Sequence, residues 1–319
     1  MNEQEFGLAM KSRHLKPNEG MDAMTRCQMQ KLRAGGRVYE ADPYVEVTQI
    51  RESVYRLFAN NADDVGDVWM YLIVGSQKAM LIDTGFGIGN LKELCDVLTG
   101  GKPLIVVNTH PHPDHAFGNC RFERIYCHEY SVPELKQQNA RMWDYLFDED
   151  GREIWLEFDR ADLPAFRPYE ICACRDGERF DLGDSHEIEL IHTAGHHAGH
   201  ACFLDRKNRI LFAGDALSSV CIHAEGPWEG QLYPEYATLW AYRRGIQKLA
   251  SRLDEFDEVN PSHDLCGLKS DVILNILAAC DGILRDAAQN RMHGEAHFRQ
   301  AVKGLGTIAY RSCSLEDLD

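Results

Sequence analysis

The most constraining feature of the chain is a short histidine-rich segment, Thr109 to His115, with the sequence THPHPDH. It follows directly on the apolar run Leu104 to Val107, whose length and composition are typical of a buried strand. Neutral imidazole and carboxylate are common protein ligands of Zn²⁺, and they also bind iron or manganese. We therefore expect a fold in which a buried strand delivers these side chains to a metal site.

The spacing of the segment divides its ligands into two pairs. Alternate side chains of an extended segment point the same way, so His110 and His112 can bind one metal ion. Asp114 and His115 lie at the following bend, where they can face a second ion. The prolines on either side of His112 remove backbone donors and keep this part of the chain out of a helix.

Three later segments offer further ligands, although each is a weak signal alone. The first is the loop HTAGHHAGH from His192 to His200, in which we select His196 as the ligand. The second is an apolar run that ends in Asp215, and the third is the segment PSHD that contains His263. The remaining histidines of the loop are expected to pack or to support ligands: His192, His197 and His200.

Together with the segment LIDTG at positions 81–85, these motifs resemble, in kind and order, those of the metallo-β-lactamase superfamily. The resemblance extends from about Val54 to Asp264. It implies two divalent metal ions, zinc being favoured and iron or manganese remaining open. It implies that Asp83 orients a ligand imidazole. It implies one ion on His110, His112 and His196, a second on Asp114, His115 and His263, and Asp215 as a bridge between them.

The same resemblance implies an α/β fold, a four-layer αββα sandwich with a helical insertion and an N-terminal extension. We place the extension at residues 1–44 and the hydrolase domain at 45–319. Alternating strand and helix patterns occur in both halves of that domain. The insertion is predicted at about 129–160 and a C-terminal helical segment at about 270–302.

Composition limits the partners and the compartment. The 319 residues carry a formal charge of −16, which opposes binding to nucleic acid. No apolar run is long enough to span a bilayer. Eleven cysteines, an odd number in a chain of this size, fit reduced thiols better than a disulfide framework. We expect a cytoplasmic protein with a small-molecule substrate and no membrane or nucleic-acid partner, and a homo-oligomer remains open.

The expected reaction is hydrolysis by activated water, with Asp114 as the catalytic residue that orients the nucleophile and passes a proton. Carbonyl substrates fit this chemistry: an ester, a thioester, a lactone or an amide. The bridging Asp215 separates the chain from true β-lactamases of the family, which usually carry Cys or Ser there. Ser218 stands where quorum-signal lactonases often have a tyrosine. An iron-dependent redox enzyme and a phosphodiesterase remain alternatives.

Substrate contacts are expected from segments that border the site. The stretch after Asp215 contains three candidates, His223, Trp228 and Tyr233. The aromatic-rich insertion is a second source, because loops on a rigid scaffold usually set specificity.

Overall fold

The computed structural model describes residues 8–16, 23–63, 66–290 and 297–318, which form two compact units. The first unit contains the described residues up to Cys127, together with Val132–Ala173 and Asp181–His186. The second contains His128–Ser131, Cys174–Phe180 and the described residues from Glu187 onward.

The elements of the first unit are, in chain order, β1 (Arg13–His14), α1 (Ala23–Arg33), β2 (Arg37–Tyr39), β3 (Asp42–Arg51), β4 (Val54–Ala59), β5 (Val68–Val74), β6 (Ala79–Ile82), α2 (Leu91–Thr99), β7 (Leu104–Val107), α3 (Pro113–Ala116), β8 (Arg124–His128), α4 (Val132–Leu135), β9 (Leu156–Glu157) and β10 (Glu170–Cys174). Strands β2 to β6 form an antiparallel meander, and β6, β7 and β8 continue the sheet in parallel. A parallel pair needs a crossover connection, which α2 provides between β6 and β7.

Helix α2 fixes the strand that leads to the histidine-rich segment. Its N-cap is Asn90, whose side chain accepts a hydrogen bond from the backbone of Glu93, and its C-cap is Gly100 in the left-handed conformation. Its buried residues Leu91 and Leu94 pack in the same apolar cluster as Val106 of β7. The strand predicted at 104–107 is confirmed.

The second unit continues with β11 (Arg179–Asp181), β12 (Glu187–His192), β13 (Ala201–Asp205), β14 (Ile210–Ser218), β15 (Cys221–Ala224), α5 (Leu239–Ala250), β16 (Glu258–His263), β17 (Leu268–Lys269), α6 (Val272–Asn290), β18 (His297–Ala301) and β19 (Thr307–Arg311). Its main sheet has the order β16-β14-β13-β12-β11, and β15, β19 and β18 form a smaller sheet. Helix α5 buries one face: Tyr242, Ile246 and Leu249 lie in one apolar cluster with Ile273 and Ile276 of α6.

The helical insertion predicted at about 129–160 is wrong in its secondary structure. Only α4 and short 3₁₀ turns are helical there, and β9 is a strand that pairs with β1. Side chains compete with helix formation at two places: the Asn139 amide oxygen accepts from the backbone of Arg141, and the Asp148 carboxylate accepts from the backbones of Asp150 and Arg152. Two aromatic residues of the segment, Trp143 and Phe147, join one apolar cluster of the first unit with Phe86 and Phe117 instead of forming one face of a helix.

Both predicted boundaries also need correction. The sheet begins within the predicted extension, because β2 pairs with β3 and β3 starts at Asp42. The C-terminal segment predicted as helical to about 302 is helical only to Asn290, and 297–301 is strand β18. Residues 1–7, 17–22 and 291–296 of these two predicted segments lie outside the described residues. Among the residues that the structure describes, no helix combines the length and the apolar character needed to cross a lipid bilayer.

One glycine lets the loop between β12 and β13 lie directly on α5. Gly195 has φ 123°, and a Cβ at this position would overlap the Cβ and backbone of Tyr242. Gly177, in the same unit, has φ 85° but no atom within 4 Å of an added Cβ. An alanine substitution at Gly177 therefore introduces only backbone strain, whereas one at Gly195 adds steric overlap with Tyr242.

We predict that Gly177→Ala lowers the free energy of unfolding by about 1 kcal/mol, which is the cost of left-handed backbone alone. Gly195→Ala should lower it by about 3 kcal/mol or more, because overpacking adds to that strain. Denaturant unfolding of both variants measures the difference. Equal losses would show that the loop does not depend on contact with α5.

Candidate metal centre

In the first unit, the histidine-rich segment leaves β7 extended and then turns into the single-turn helix α3. His112 is the residue that caps α3, with Pro113 at its first position, where a missing N–H costs nothing. His110 and His115 are fully buried, and Asp114 is nearly so. The predicted extended pair followed by a bend is confirmed, but the prediction that the prolines keep the segment out of a helix is wrong, because Pro113 stands at the first position of α3, where proline is tolerated.

A buried carboxylate, Asp83, holds this segment in place. Asp83 follows β6 in the left-handed conformation, with φ 64°, and its side chain is completely buried. Its carboxylate accepts hydrogen bonds from the Thr109 backbone N–H at 2.7 Å, the Thr109 hydroxyl at 2.8 Å and His115 Nδ1 at 2.9 Å. Aspartate tolerates left-handed backbone better than most residues, so this turn is compatible with the role.

The hydrogen bonds of Asp83 determine which nitrogen of each imidazole carries the proton. His115 Nδ1 faces a carboxylate oxygen and must donate, which leaves Nε2 with its lone pair. The Thr109 hydroxyl donates its only proton to Asp83, so its oxygen accepts from His110 Nδ1 at 3.0 Å. Both imidazoles therefore present an unprotonated Nε2. Thr109 was missed in the sequence analysis, although it opens the motif.

Ligand atoms of this segment lie near the separations found around a shared cation. His115 Nε2 is 3.2 Å from Asp114 Oδ2, a contact between two acceptor atoms that a cation or a proton would relieve. His110 Nε2 is 2.9 Å from His112 Nδ1. Adjacent ligand atoms on a tetrahedral zinc ion are about 3.4 Å apart. His110 Nε2 and His112 Nδ1 would therefore move apart by about 0.5 Å to bind one zinc ion.

In the second unit, Asp215 lies between two imidazoles. Its Oδ2 is 3.5 Å from His196 Nε2 and 3.4 Å from His263 Nε2, close to the edge of a tetrahedral coordination sphere. The parallel pairing of β14 with β16 produces this arrangement, because Ser218 is in register with His263 at the ends of the two strands. The three ligands predicted in this half of the chain are thus brought together.

The His196 ring is oriented by a backbone carbonyl. Its Nδ1 donates to the carbonyl oxygen of His223 at 3.1 Å, so Nε2 is the nitrogen directed at Asp215. Burial lowers the pKa of His196 to about 4, and the Asp215 carboxylate opposes this only in part. The imidazole is therefore neutral near pH 7, which is the form that binds a metal.

His200 supports the backbone of Asp215, a role that the sequence left undecided among three histidines. Its Nε2 accepts from the N–H groups of Asp215 and Ala216 at 3.0 and 3.1 Å, and its Nδ1 donates to the Thr193 hydroxyl at 2.9 Å. His200 is fully buried, and both of its nitrogens are occupied. By contrast, His192 stacks on His128 with ring centroids 3.8 Å apart.

The three residues predicted to contact the substrate have different surroundings in the second unit. The His223 carbonyl accepts from His196, and the His223 ring lies 2.8 Å from the Glu225 carboxylate. The Trp228 ring is 51% exposed and is covered on one side by Arg311, and the Tyr233 ring lies 4.4 Å from that of Tyr130. Their contact with a substrate stays a prediction.

The insertion of the first unit approaches the ligand segment at Tyr145. Its hydroxyl donates to the Asp63 carboxylate at 3.2 Å, and its ring meets Phe117 edge-on at 6.3 Å. Burial raises the pKa of this phenol, and the charges of Asp63 and Asp114 raise it further. Tyr145 is thus within electrostatic reach of a predicted ligand, whereas the role of the insertion in a substrate pocket stays a prediction.

Curated relatives of the chain include acyl-coenzyme A thioesterases. The chain is 28% identical to acyl-coenzyme A thioesterase MBLAC2 of Gallus gallus over 215 residues, 61% of this chain and 71% of that protein. The match to the Homo sapiens protein is 28% over 170 residues, 46% of this chain, and spans only 57% of that relative. A hydroxyacylglutathione hydrolase of Francisella philomiragia is 27% identical over 175 residues, 54% of each chain.

Solved structures with the same fold include a metallo-beta-lactamase family protein from Thermus thermophilus. It has a TM-score of 0.56 at 21% identity, over 77% of this chain and 85% of that one. A metallo-beta-lactamase from Pontibacter korlensis has a TM-score of 0.51 at 19% identity, over 74% and 99%. The predicted α/β class and metallo-β-lactamase-like fold are confirmed.

The model of one protein family matches residues 63–254, which include Asp83, the whole histidine-rich segment, His196 and Asp215. This is more than half of the chain. The hydrolase class predicted from the sequence agrees with the activities for which the relatives are named. On these grounds the chain belongs to the metallo-beta-lactamase superfamily.

Proposed function

We propose that the chain is a metal-dependent hydrolase that uses two divalent ions to cleave a thioester at its carbonyl carbon. The observation that carries the proposal is the position of Asp215. One carboxylate oxygen lies within 3.5 Å of the Nε2 atoms of both His196 and His263, as a ligand shared by two ions requires.

The assignment of ligands follows the family motifs and is supported by the pairing of donors within each unit. Imidazole and carboxylate favour zinc, and the same donors accept iron or manganese. One ion is assigned to His110, His112 and His196, the other to Asp114, His115 and His263, with Asp215 shared. Asp83 and Thr109 hold two of these imidazoles in the binding tautomer, and His200 holds the backbone of Asp215.

Bound divalent ions would supply an acidified water, with its pKa lowered from near 16 to about 7, and would polarise the carbonyl group. The chain itself would orient the attack. Asp114 carries the only carboxylate of the histidine-rich segment, and its second oxygen can hold the proton of the nucleophile. Passing that proton to the departing thiolate would complete hydrolysis.

Two observations favour a thioester over the other carbonyl substrates. Relatives in both animals and fungi are named as thioesterases, one for acyl-coenzyme A and one for an acyl carrier protein. The shared carboxylate Asp215 also stands where β-lactamases of the family usually carry Cys or Ser. Redox and phosphodiester chemistry remain outcomes of the tests below.

The first test measures metal content and substrate class together. We predict two ions per chain after reconstitution of chelator-treated protein with Zn²⁺, and metal-dependent hydrolysis of acyl thioesters. The panel should present one acyl group on coenzyme A and on glutathione, with the matched oxygen ester and bis(p-nitrophenyl) phosphate. Asp215→Ala should lose at least one ion and the activity with it.

Hydrolysis of the phosphodiester alone would overturn the choice of substrate. Iron with visible absorbance and no hydrolysis, in protein purified without added metal, would overturn the hydrolase.

The second test concerns Asp114. We predict that Asp114→Asn lowers kcat about 100-fold or more and changes KM far less, because it removes a proton carrier while keeping the shape of the side chain. Asp144→Asn, at an exposed aspartate of the same unit, is the matched control and should retain activity. Wild-type kcat in an Asp114→Asn protein of normal metal content would exclude this role.

The third test concerns the Thr109 hydroxyl. Thr109→Val keeps the shape of the side chain but breaks the link from Asp83 to His110, so we expect metal affinity to fall about 10- to 100-fold. Thr109→Ser keeps the hydroxyl and should retain most of the affinity. Chelator competition measures both variants, and equal affinities would mean that the link does not matter for metal binding.

A further inference from the structure

A basic cavity of about 260 Å³ lies on the first unit, where α2 begins near the 3₁₀ turn Phe117–Arg121. Three cationic side chains line it, Lys92, Arg121 and Arg167, and none of the described residues in its lining is a carboxylate. The whole chain, by contrast, has a formal charge of −16. Positive charge gathered in one cavity of so acidic a protein favours an anionic ligand.

Arg121 is fixed in the wall of the cavity by neutral groups. The residue is partly buried, its Nε donates to the carbonyl oxygen of Gly87 at 3.0 Å, and its Nη2 donates to the backbone carbonyl oxygen of Asp162 at 2.9 Å. Burial lowers the pKa of Arg121, and the charges of Asp42 and Asp162 oppose this only in part. A partly buried guanidinium held only by carbonyl groups would be stabilised by a bound anion.

The two carboxylates that act on Arg121 are placed away from the cavity. The Asp162 carboxylate pairs with Lys11 at 2.5 Å and accepts from the Tyr44 hydroxyl at 2.6 Å. Asp42 is completely buried, and burial raises its pKa to about 7, so it is only partly charged at neutral pH. Neither residue lines the cavity. The charge of Arg121 is therefore available to a ligand there.

The other two cations have little competition for a ligand. Arg167 is exposed, and its guanidinium forms no hydrogen bond or ion pair with any residue that the structure describes. Lys92 pairs with Asp96 at 2.8 Å on the exposed surface of α2, a weak contact that a bound anion can replace. Two guanidinium groups and an ammonium group suit phosphate, which arginine can bind through two parallel hydrogen bonds.

Short stretches of chain connect the cavity to the candidate metal ligands of the same unit. Asn90, which also lines the cavity, lies in the loop that starts at Asp83, and Arg121 lies in the turn that follows His115 and α3. The two stretches are joined by a hydrogen bond from the Gly118 N–H to the Gly85 carbonyl at 2.9 Å. Both follow strands that are parallel and end at one edge of the sheet. A phosphate in the cavity would therefore be held at the edge that carries the histidine-rich segment.

We propose that this cavity binds the phosphate group of an organic phosphate. Two sources fit this chemistry: the phosphorylated thiol carrier of a thioester substrate, and a separate phosphorylated metabolite. The first source rests on the proposed function, and the second does not. Pockets for drug-sized ligands measure roughly 300–1,000 Å³. The smaller cavity accepts a phosphate group together with part of the molecule that carries it.

The direct test measures binding without turnover. The probe is adenosine 3′,5′-bisphosphate, the phosphorylated part of coenzyme A, titrated calorimetrically into the full chain reconstituted with Zn²⁺. We expect saturable binding that weakens as salt is added. Arg167→Gln should weaken it about 10-fold, because a charge-assisted hydrogen bond is lost. Arg124→Gln, at an exposed arginine of the same unit that pairs with Glu170, is the matched control and should bind as the wild type does.

Two results would overturn the proposal. One is the absence of binding by the wild-type chain. The other is equal affinity of the wild type and Arg167→Gln, which would show that the phosphate binds elsewhere, for example on the metal ions. Lys92→Gln is a second variant, so the result does not depend on the folding of one protein. It should weaken binding less than Arg167→Gln, because Lys92 is already paired with Asp96.

Kinetics distinguish the two sources of the phosphate. If the carrier supplies it, Arg167→Gln should lower kcat/KM for acetyl-coenzyme A about 10-fold and leave kcat/KM for S-acetyl-N-acetylcysteamine, a thioester without phosphate, unchanged. If a separate metabolite supplies it, both values should stay unchanged while binding of the bisphosphate weakens. A chain that binds the bisphosphate through Arg167 but hydrolyses no thioester would refute the proposed function and leave the phosphate site standing.

Discussion

The metal centre depends on one buried carboxylate, Asp83. The parallel pairing of β6 with β7 places Ile82 beside Val107, so the residues that follow the two strands emerge together. Asp83 then accepts three hydrogen bonds from Thr109 and His115 in a site shielded from solvent. Hydrogen bonds to a buried carboxylate are strong, and losing one partner would leave charge uncompensated. The carboxylate therefore joins two strand ends and orients two imidazoles.

In the second unit, neutral groups hold the candidate ligands in place. His200 accepts two backbone N–H groups at Asp215, and the His223 carbonyl accepts from His196. In both units the protein engages the ligand nitrogen that does not face the proposed metal, which leaves the lone pair of the other nitrogen directed at the site. Such supporting contacts raise metal affinity because the ligands need little reorganisation on binding.

The backbone and the side chain of His223, on strand β15, contact different partners. Its carbonyl accepts from the proposed metal ligand His196, while its imidazole contacts Glu225. The sequence analysis assigned His223 to substrate binding on its position after Asp215. That assignment stays a prediction, and the contacts of His223 add a link to the proposed metal ligand His196, so changes to its side chain and to its backbone path should have separable effects.

The family and the main strands could be predicted from the sequence, and the candidate ligands could be named from it, since motif spacing and apolar alternation are local properties of the chain. The irregular path of 129–160 could not, because its Asn and Asp side chains bind nearby backbone and override an apparent helical pattern. The roles of Thr109 and His200 could not be predicted from the sequence either. Thr109 meets a carboxylate 26 residues away and His200 a backbone 15 residues away, and strand register alone brings such partners together. The sequence by itself thus specified which side chains can bind a metal. The tertiary structure decided which nitrogen of each imidazole is available, because the tautomer of a histidine is set by its hydrogen-bond partner in space.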